Sequence, residues 1–365
     1  MDEFDPSLEL GLEHDKQIIC SCEVFQQNNS CRDLCQRFVA KGDKLYDIIS
    51  WYDDVATYVL NRTEWRSGST SRFTAPFLKA FGMTDYAAME HCGKTLTIMP
   101  EAKRVIGHLR ETMPTFFTTS SYEHNVLNLC RELDIPRVLV NCMDAAFDDF
   151  YIPRQEAKAI RELANRITGL RMPHSFDLSA FHKLQKDDVE AVMTIEEIFN
   201  TNLKTLPVSD MIKEFRPVGT DEKVYFMIDL RDRTQIELEG TAFIGGDMTD
   251  VNALDRVSDL GGLALSFNGC DLAVRRSNIA VMSRDCTVTA VLAEEFYNEG
   301  IEAVFDLVEN WDREKLKKKD FPDPHLMSAM LASNPRKLPE VHIVNKDNVD
   351  EIARKSNKYR KNLSR

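Results

Sequence analysis

A chain of 365 residues with 43% hydrophobic and 29% charged side chains is long enough for more than one domain and has the composition of a folded globular protein. Its formal net charge of −13 argues against a general nucleic-acid binder and against an anionic membrane surface, and no apolar run reaches the length of a spanning helix. The acidic opening MDEFDPSLELGLEHDK lacks the basic start and apolar stretch of an export leader, which predicts a cytoplasmic protein whose nine cysteines are reduced.

KQIIC (16–20) predicts a short buried strand, after which residues 30–62 switch to helical spacing, with Leu45, Ile48, Ile49, Tyr52, Val55 and Val59 on one face. FTAPFLKAFG and DYAAMEHCG continue in helical pieces to about 93. PEAKRVIGHLRETMP then opens a helix with Pro100 at its start and runs into the strand TFFTTSS. The helix YEHNVLNLCRELDI and the strand RVLVNC (137–142) follow, and this alternation with tight connections predicts a parallel sheet. Residues 153–215 are helical again. From 222 a helix leads into the strand TAFIGG (241–246), the helix VNALDRVSDLG and the strands LALSFN (263–268) and NIAVMS (278–283).

These changes of pattern divide the chain into a discontinuous α/β core (14–25, 95–150 and 215–310) and two helical insertions (26–94 and 151–214). A basic C-terminal extension (311–365) completes it. From Asp312 onward there are 14 Lys/Arg against 8 Asp/Glu, the reverse of the preceding part. Few apolar positions lie in 340–365, which predicts a solvated terminus outside the core.

Four stations stand out: SCE (21–23), TTSS (118–121), Lys223 after PVGTDE, and IGGDMTD (244–250). Three of them end predicted strands, where an open α/β sheet gathers ligands. In IGGDMTD, glycines permit a tight turn and Asp247 and Asp250 offer carboxylates to a hard cation such as Mg2+, or Asp250 simply caps the next helix. Thr119 and Ser120 precede a helix and could hold an anion at its N-terminus, or serve only as caps. Lys223 could neutralise an anionic ligand, or be solvated.

In this order the stations resemble the haloacid dehalogenase superfamily and, within it, the archaeal group labelled energy-converting hydrogenase A subunit R, with a methanogen setting. The matching segments are IICSCE, NSCRDLCQRFVAKGDKLYDIISWYDD, TAPFLKAFG, PEAKRVIGHLRETMPTFFTTSSYEHNVLNLC, PVGTDEK and IGGDMTDVNAL…GGLALSFNG, within about residues 16–300. The resemblance implies a Rossmann-like parallel sheet with two mainly helical cap insertions and Mg2+-dependent phosphohydrolase chemistry. It implies a nucleophile at Ser21, an acid/base at Glu23, phosphoryl ligands at Thr119 and Lys223, and metal ligation by the acids of the last turn.

Two carboxylates of that pattern are missing or displaced. Ser21 stands where the nucleophilic Asp belongs, and Gly246 takes the place of the first metal-turn acid, with Asp247 one position late. A serine hydroxyl needs a base where a carboxylate does not. The expected function is therefore a degenerate site with little hydrolytic activity, binding a small phosphorylated ligand or a protein partner, with neither nucleic acid nor membrane involved. A divergent Mg2+-dependent phosphatase using Glu23, Asp247 and Asp250 is the alternative. A second is a metal or redox protein built on Cys20, Cys22, Cys31 and Cys35, although their C-x-C and C-x3-C spacing matches no standard ligand pattern and cysteine is commonly buried.

Overall fold

The computed structural model describes residues 14–63, 65–173 and 184–363. Its centre is a seven-stranded sheet whose strands are, in chain order, β1 (Gln17–Ser21), β2 (Thr115–Tyr122), β3 (Val140–Met143), β4 (Thr241–Gly245), β5 (Leu263–Phe267), β6 (Ile279–Met282) and β7 (Glu340–Ile343). The spatial order is β3-β2-β1-β4-β5-β6-β7, parallel except for the antiparallel β7. β1, β4 and β5 are buried along their whole length and carry near-continuous apolar runs, as expected of parallel strands covered on both faces. The architecture is Rossmann-like α/β, with two mainly helical insertions.

Between β1 and β2 the chain forms the helices Ser30–Phe38, Gly42–Tyr58, Thr70–Ala80 and Asp85–Thr95, and then Ala102–Thr112, which leads back to the sheet. Between β3 and β4 it forms Arg154–Gly169, Lys186–Glu197 and Ser209–Glu214 before the crossover helix Thr220–Thr234. The two insertions share one hydrophobic core, in which Leu34, Ile48, Phe77, Ile160 and Ile195 are buried together. A separate core surrounds the sheet, including Ile18, Ile19, Phe243 and Leu265. The caps therefore form one body, although residues 96–153 separate their helices along the chain.

Three expectations need correction. The strand expected over 137–142 begins as a 3-10 turn, Arg137–Leu139, and the ladder covers Val140–Met143. The first strand, expected over 16–20, runs Gln17–Ser21 and ends one residue later than expected, where Cys22–Val24 turns as a 3-10 helix. The terminus expected outside the core instead supplies β7 and the helix Val349–Leu363, which buries Ile352, Ala353 and Ser356 against the helix Asp271–Arg275. Its apolar positions are few, but they fall at helical spacing on one face.

Candidate functional site

β1 lies between β2 and β4, so the C-terminal ends of these three strands meet at the centre of the sheet. β1 ends on Ser21, β2 brings Thr119, and the turn after β4 brings Asp247 and Asp250. The first turn of Thr220–Thr234 brings Lys223. The structure thus gathers Ser21, Glu23, Thr119, Lys223 and Asp250 into one hydrogen-bonded network.

Glu23 uses both carboxylate oxygens in it. Ser21 Oγ donates to Oε2 at 2.6 Å, and Thr119 Oγ1 donates to Oε1 at 2.6 Å. Lys223, fully buried, directs its ammonium to Asp250 Oδ1 at 2.7 Å, Thr249 Oγ1 at 2.9 Å and Ser21 Oγ at 3.3 Å. An ammonium has three donors, and all three are used. Burial alone would depress the Lys223 pKa, but Asp250 and then Glu23 outweigh it and hold it above its usual value. The other oxygen of Asp250 accepts from the backbone N–H of Gly246 and Asp247, each at 2.8 Å.

Asp247 pairs with Arg360, whose guanidinium also donates to the Gly246 carbonyl at 3.2 Å. Burial would raise the Asp247 pKa, but Arg360 and Lys223 hold it below the usual carboxylate range. Arg360 is carried by the terminal helix, beyond the reach of the motif pattern.

Outside this network lies a cleft of about 380 Å3 between the sheet ends, the first insertion and the terminal helix. Its acidic and basic side chains are Glu23, Asp53, Asp54, Asp247 and Arg360, with many hydroxyls and amides between them; Ser120 lines it too. Asp53 accepts from Thr70 N, Thr70 Oγ1 and Gly68 N through Oδ2, while among the described residues its buried Oδ1 has no hydrogen-bond partner. Burial and neighbouring Asp54 push the Asp53 pKa well up. Asp54 is pushed up to about 7 by burial, with the Ser67 hydroxyl working the other way. Thr249, Asp53 and Asp54, which lie within the matching segments, and Arg360, which lies outside them, are site residues to which the motif pattern gave no role.

The donor set does not fit the Mg2+ that the resemblance implies. Asp250 already accepts from Lys223 and two backbone amides, and Asp247 is ion-paired with Arg360. A Cβ at Gly246 would stand 2.4 Å from the Phe267 carbonyl oxygen, so the missing acid cannot be restored there without moving the backbone. Among the described residues, the one grouping of three or more potential ligands is His108, Glu294 and Asp323, far along the chain from these acids. The cysteine cluster does not assemble either. Cys20 and Cys22 belong to the sheet core and Cys31 and Cys35 to the cap core, all four buried and free.

No family model and no curated protein matches the chain. Among solved structures, gene product AF1437 from Archaeoglobus fulgidus is similar over 96% of this chain and 97% of its own, at 18% identity and a TM-score of 0.77. A phosphoserine phosphatase in apo form covers 75% of this chain and 96% of its own, at 11% identity and a TM-score of 0.44. A HAD family hydrolase from Salmonella enterica serovar Typhi covers 70% of this chain and 63% of its own, at 10% identity and a TM-score of 0.40.

Proposed function

We infer that this chain is a haloacid dehalogenase-like binding protein whose phosphohydrolase site is silent. One observation carries this reading: the Glu23 carboxylate sits between the hydroxyls of Ser21 and Thr119, beside Lys223, and so engages the residues that the sequence resemblance assigns to the phosphoryl group. The cradle is filled from within, so an anion enters only in exchange for Glu23. The accessible cleft also carries four carboxylates against one guanidinium. With the Asp53 and Asp54 carboxyls pushed up towards their neutral forms and Asp247 paired with Arg360, Glu23 is the charge that an incoming phosphorylated ligand has to displace. The archaeal hydrogenase-associated grouping and a cytoplasmic setting remain part of this proposal and rest on the sequence motifs. No helix among the described residues is long and apolar enough to cross a membrane.

The test is hydrolysis of an aryl phosphate with and without Mg2+, beside isothermal titration with inorganic phosphate. The wild type is expected to show no Mg2+-dependent turnover, and Glu23→Gln to bind phosphate at least about tenfold more tightly than the wild type, as the internal charge is removed. Robust Mg2+-dependent turnover by the wild type refutes the reading. A second reading rests on the 2.6 Å Ser21–Glu23 bond, a hydroxyl paired with a carboxylate at general-base distance. It requires turnover that survives chelation and disappears in Glu23→Gln.

A further inference from the structure

A second cavity, of about 580 Å3, lies between the two insertions and the start of the crossover helix Thr220–Thr234. Its size is that of a small-molecule site. Arg66, Arg72, Lys204, Lys213 and Arg216 line it, with Glu222 the one acidic residue on its wall among the described residues. On a chain with a formal net charge of −13, this is a local reversal of sign. Lys213 pairs with Asp210 at 2.7 Å, and Arg66 reaches Asp221 and Glu222 at 3.4 Å each. Lys204 and Arg216 are exposed at the rim.

The floor is apolar. Phe73, Phe199 and Phe215 form it, and Trp65 stacks on Phe73 at 3.6 Å and meets Phe199 edge-on at 5.3 Å. The Arg72 guanidinium lies 4.7 Å from the centre of the Phe73 ring, so cation and ring already share one surface.

The cavity is distinct from the first cleft. Ser67, Gly68, Thr70 and Ser71 face that cleft, while Arg66, Ser69, Arg72 and Phe73 face this one. The partition is a single stretch of chain. It is pinned by the Thr220 N–H donating to the Ser67 carbonyl at 3.2 Å. Glycine is required at 219, where a Cβ would lie 2.4 Å from that carbonyl oxygen.

We propose that this cavity binds an organic polyanion of the nucleotide class, with its ring on the phenylalanine floor and its phosphates against the basic rim. Neither chemistry alone explains the lining: an inorganic anion has no use for the floor, and an uncharged ring has none for five cations. The inference is independent of the reading given above for the first cleft.

Titration calorimetry of the full chain with ADP, pyrophosphate and adenosine tests it, with Trp65 as an optical reporter. ADP is expected to bind, and pyrophosphate and adenosine each to bind at least about tenfold more weakly. Lys204→Glu with Arg216→Glu is expected to weaken ADP at least about tenfold with the melting temperature held, since both side chains are exposed. Arg360→Ala, in the first cleft, is expected to leave ADP binding unchanged. The proposal fails if ADP gives no heat up to about 1 mM. It also fails if pyrophosphate binds as tightly as ADP, or if ADP binding responds to Arg360→Ala and not to the rim charges.

Discussion

Replacing Lys223 by Met keeps an extended side chain and removes its charge. Lys223 and Asp250 are both fully buried and 2.7 Å apart. With the ammonium gone, Asp250 keeps its two amide donors, but its Oδ1 faces a site with no cation. Removing one partner of a buried ion pair costs about 3–5 kcal/mol, because the other charge is left without compensation. The loss of hydrogen bonds to Thr249 and Ser21 acts in the same direction. At about 2–4 °C per kcal/mol for a chain of this order of size, Lys223→Met is expected to melt roughly 10 °C below the wild type. Circular dichroism melts measure this. The double variant Lys223→Met, Asp250→Asn should recover part of the loss, because the stranded charge is removed. A single variant within about 2 °C of the wild type, or a double variant that sums the two single losses, would refute the argument from a buried pair.

Deleting residues 340–365 should lower the melting temperature by more than about 5 °C and promote self-association in size-exclusion chromatography, because it uncovers the edge of β6. The Asp54 carboxyl is raised, so its contribution to stability is complete below the unfolded pKa and is lost as pH rises through about 7. Asp54→Asn should therefore show a smaller fall in melting temperature than the wild type between about pH 5.5 and 8.5. Seven cysteines are buried and only Cys142 and Cys270 partly exposed, so a thiol reagent should titrate no more than these two promptly in the native protein and all nine after unfolding.

The central strands and the residues at their ends were legible because buried parallel strands are written as short apolar runs, and because Ser21, Thr119 and Asp250 stand where those runs stop. Lys223 followed from its place after PVGTDE. What the residue types could not convey is that Glu23 turns back onto Ser21 and Thr119, since that depends on the 3-10 turn at Cys22–Val24. β7 was missed for a different reason. Four residues on a sheet edge, half of them polar, give no alternation long enough to read. The charge content of DEIARKSNKYRKNLSR hid a buried stripe of Ile352, Ala353 and Ser356, and with it the helix that brings Arg360 to Asp247. The cap carboxylates Asp53 and Asp54 end one of the matching segments but carried no assigned role, and only the packing of the first insertion over the sheet ends gives them a common space.

β1 is the earliest strand described in the chain, yet it occupies the middle of the sheet, and its partner β4 comes about 220 residues later, with Ile18 opposite Ala242. During synthesis at about 5–20 residues per second, the edge of β1 that will meet β4 therefore stays unmatched for roughly 10–40 s after β1 itself is made. The segment QIICS is apolar enough to seek any other strand in that interval. The first helical insertion, with most of its core internal to residues 31–92, can condense while β1 waits. Newly made chains should accordingly depend on a holding chaperone more than finished ones do, and refolding from denaturant should be slow where the sheet centre closes.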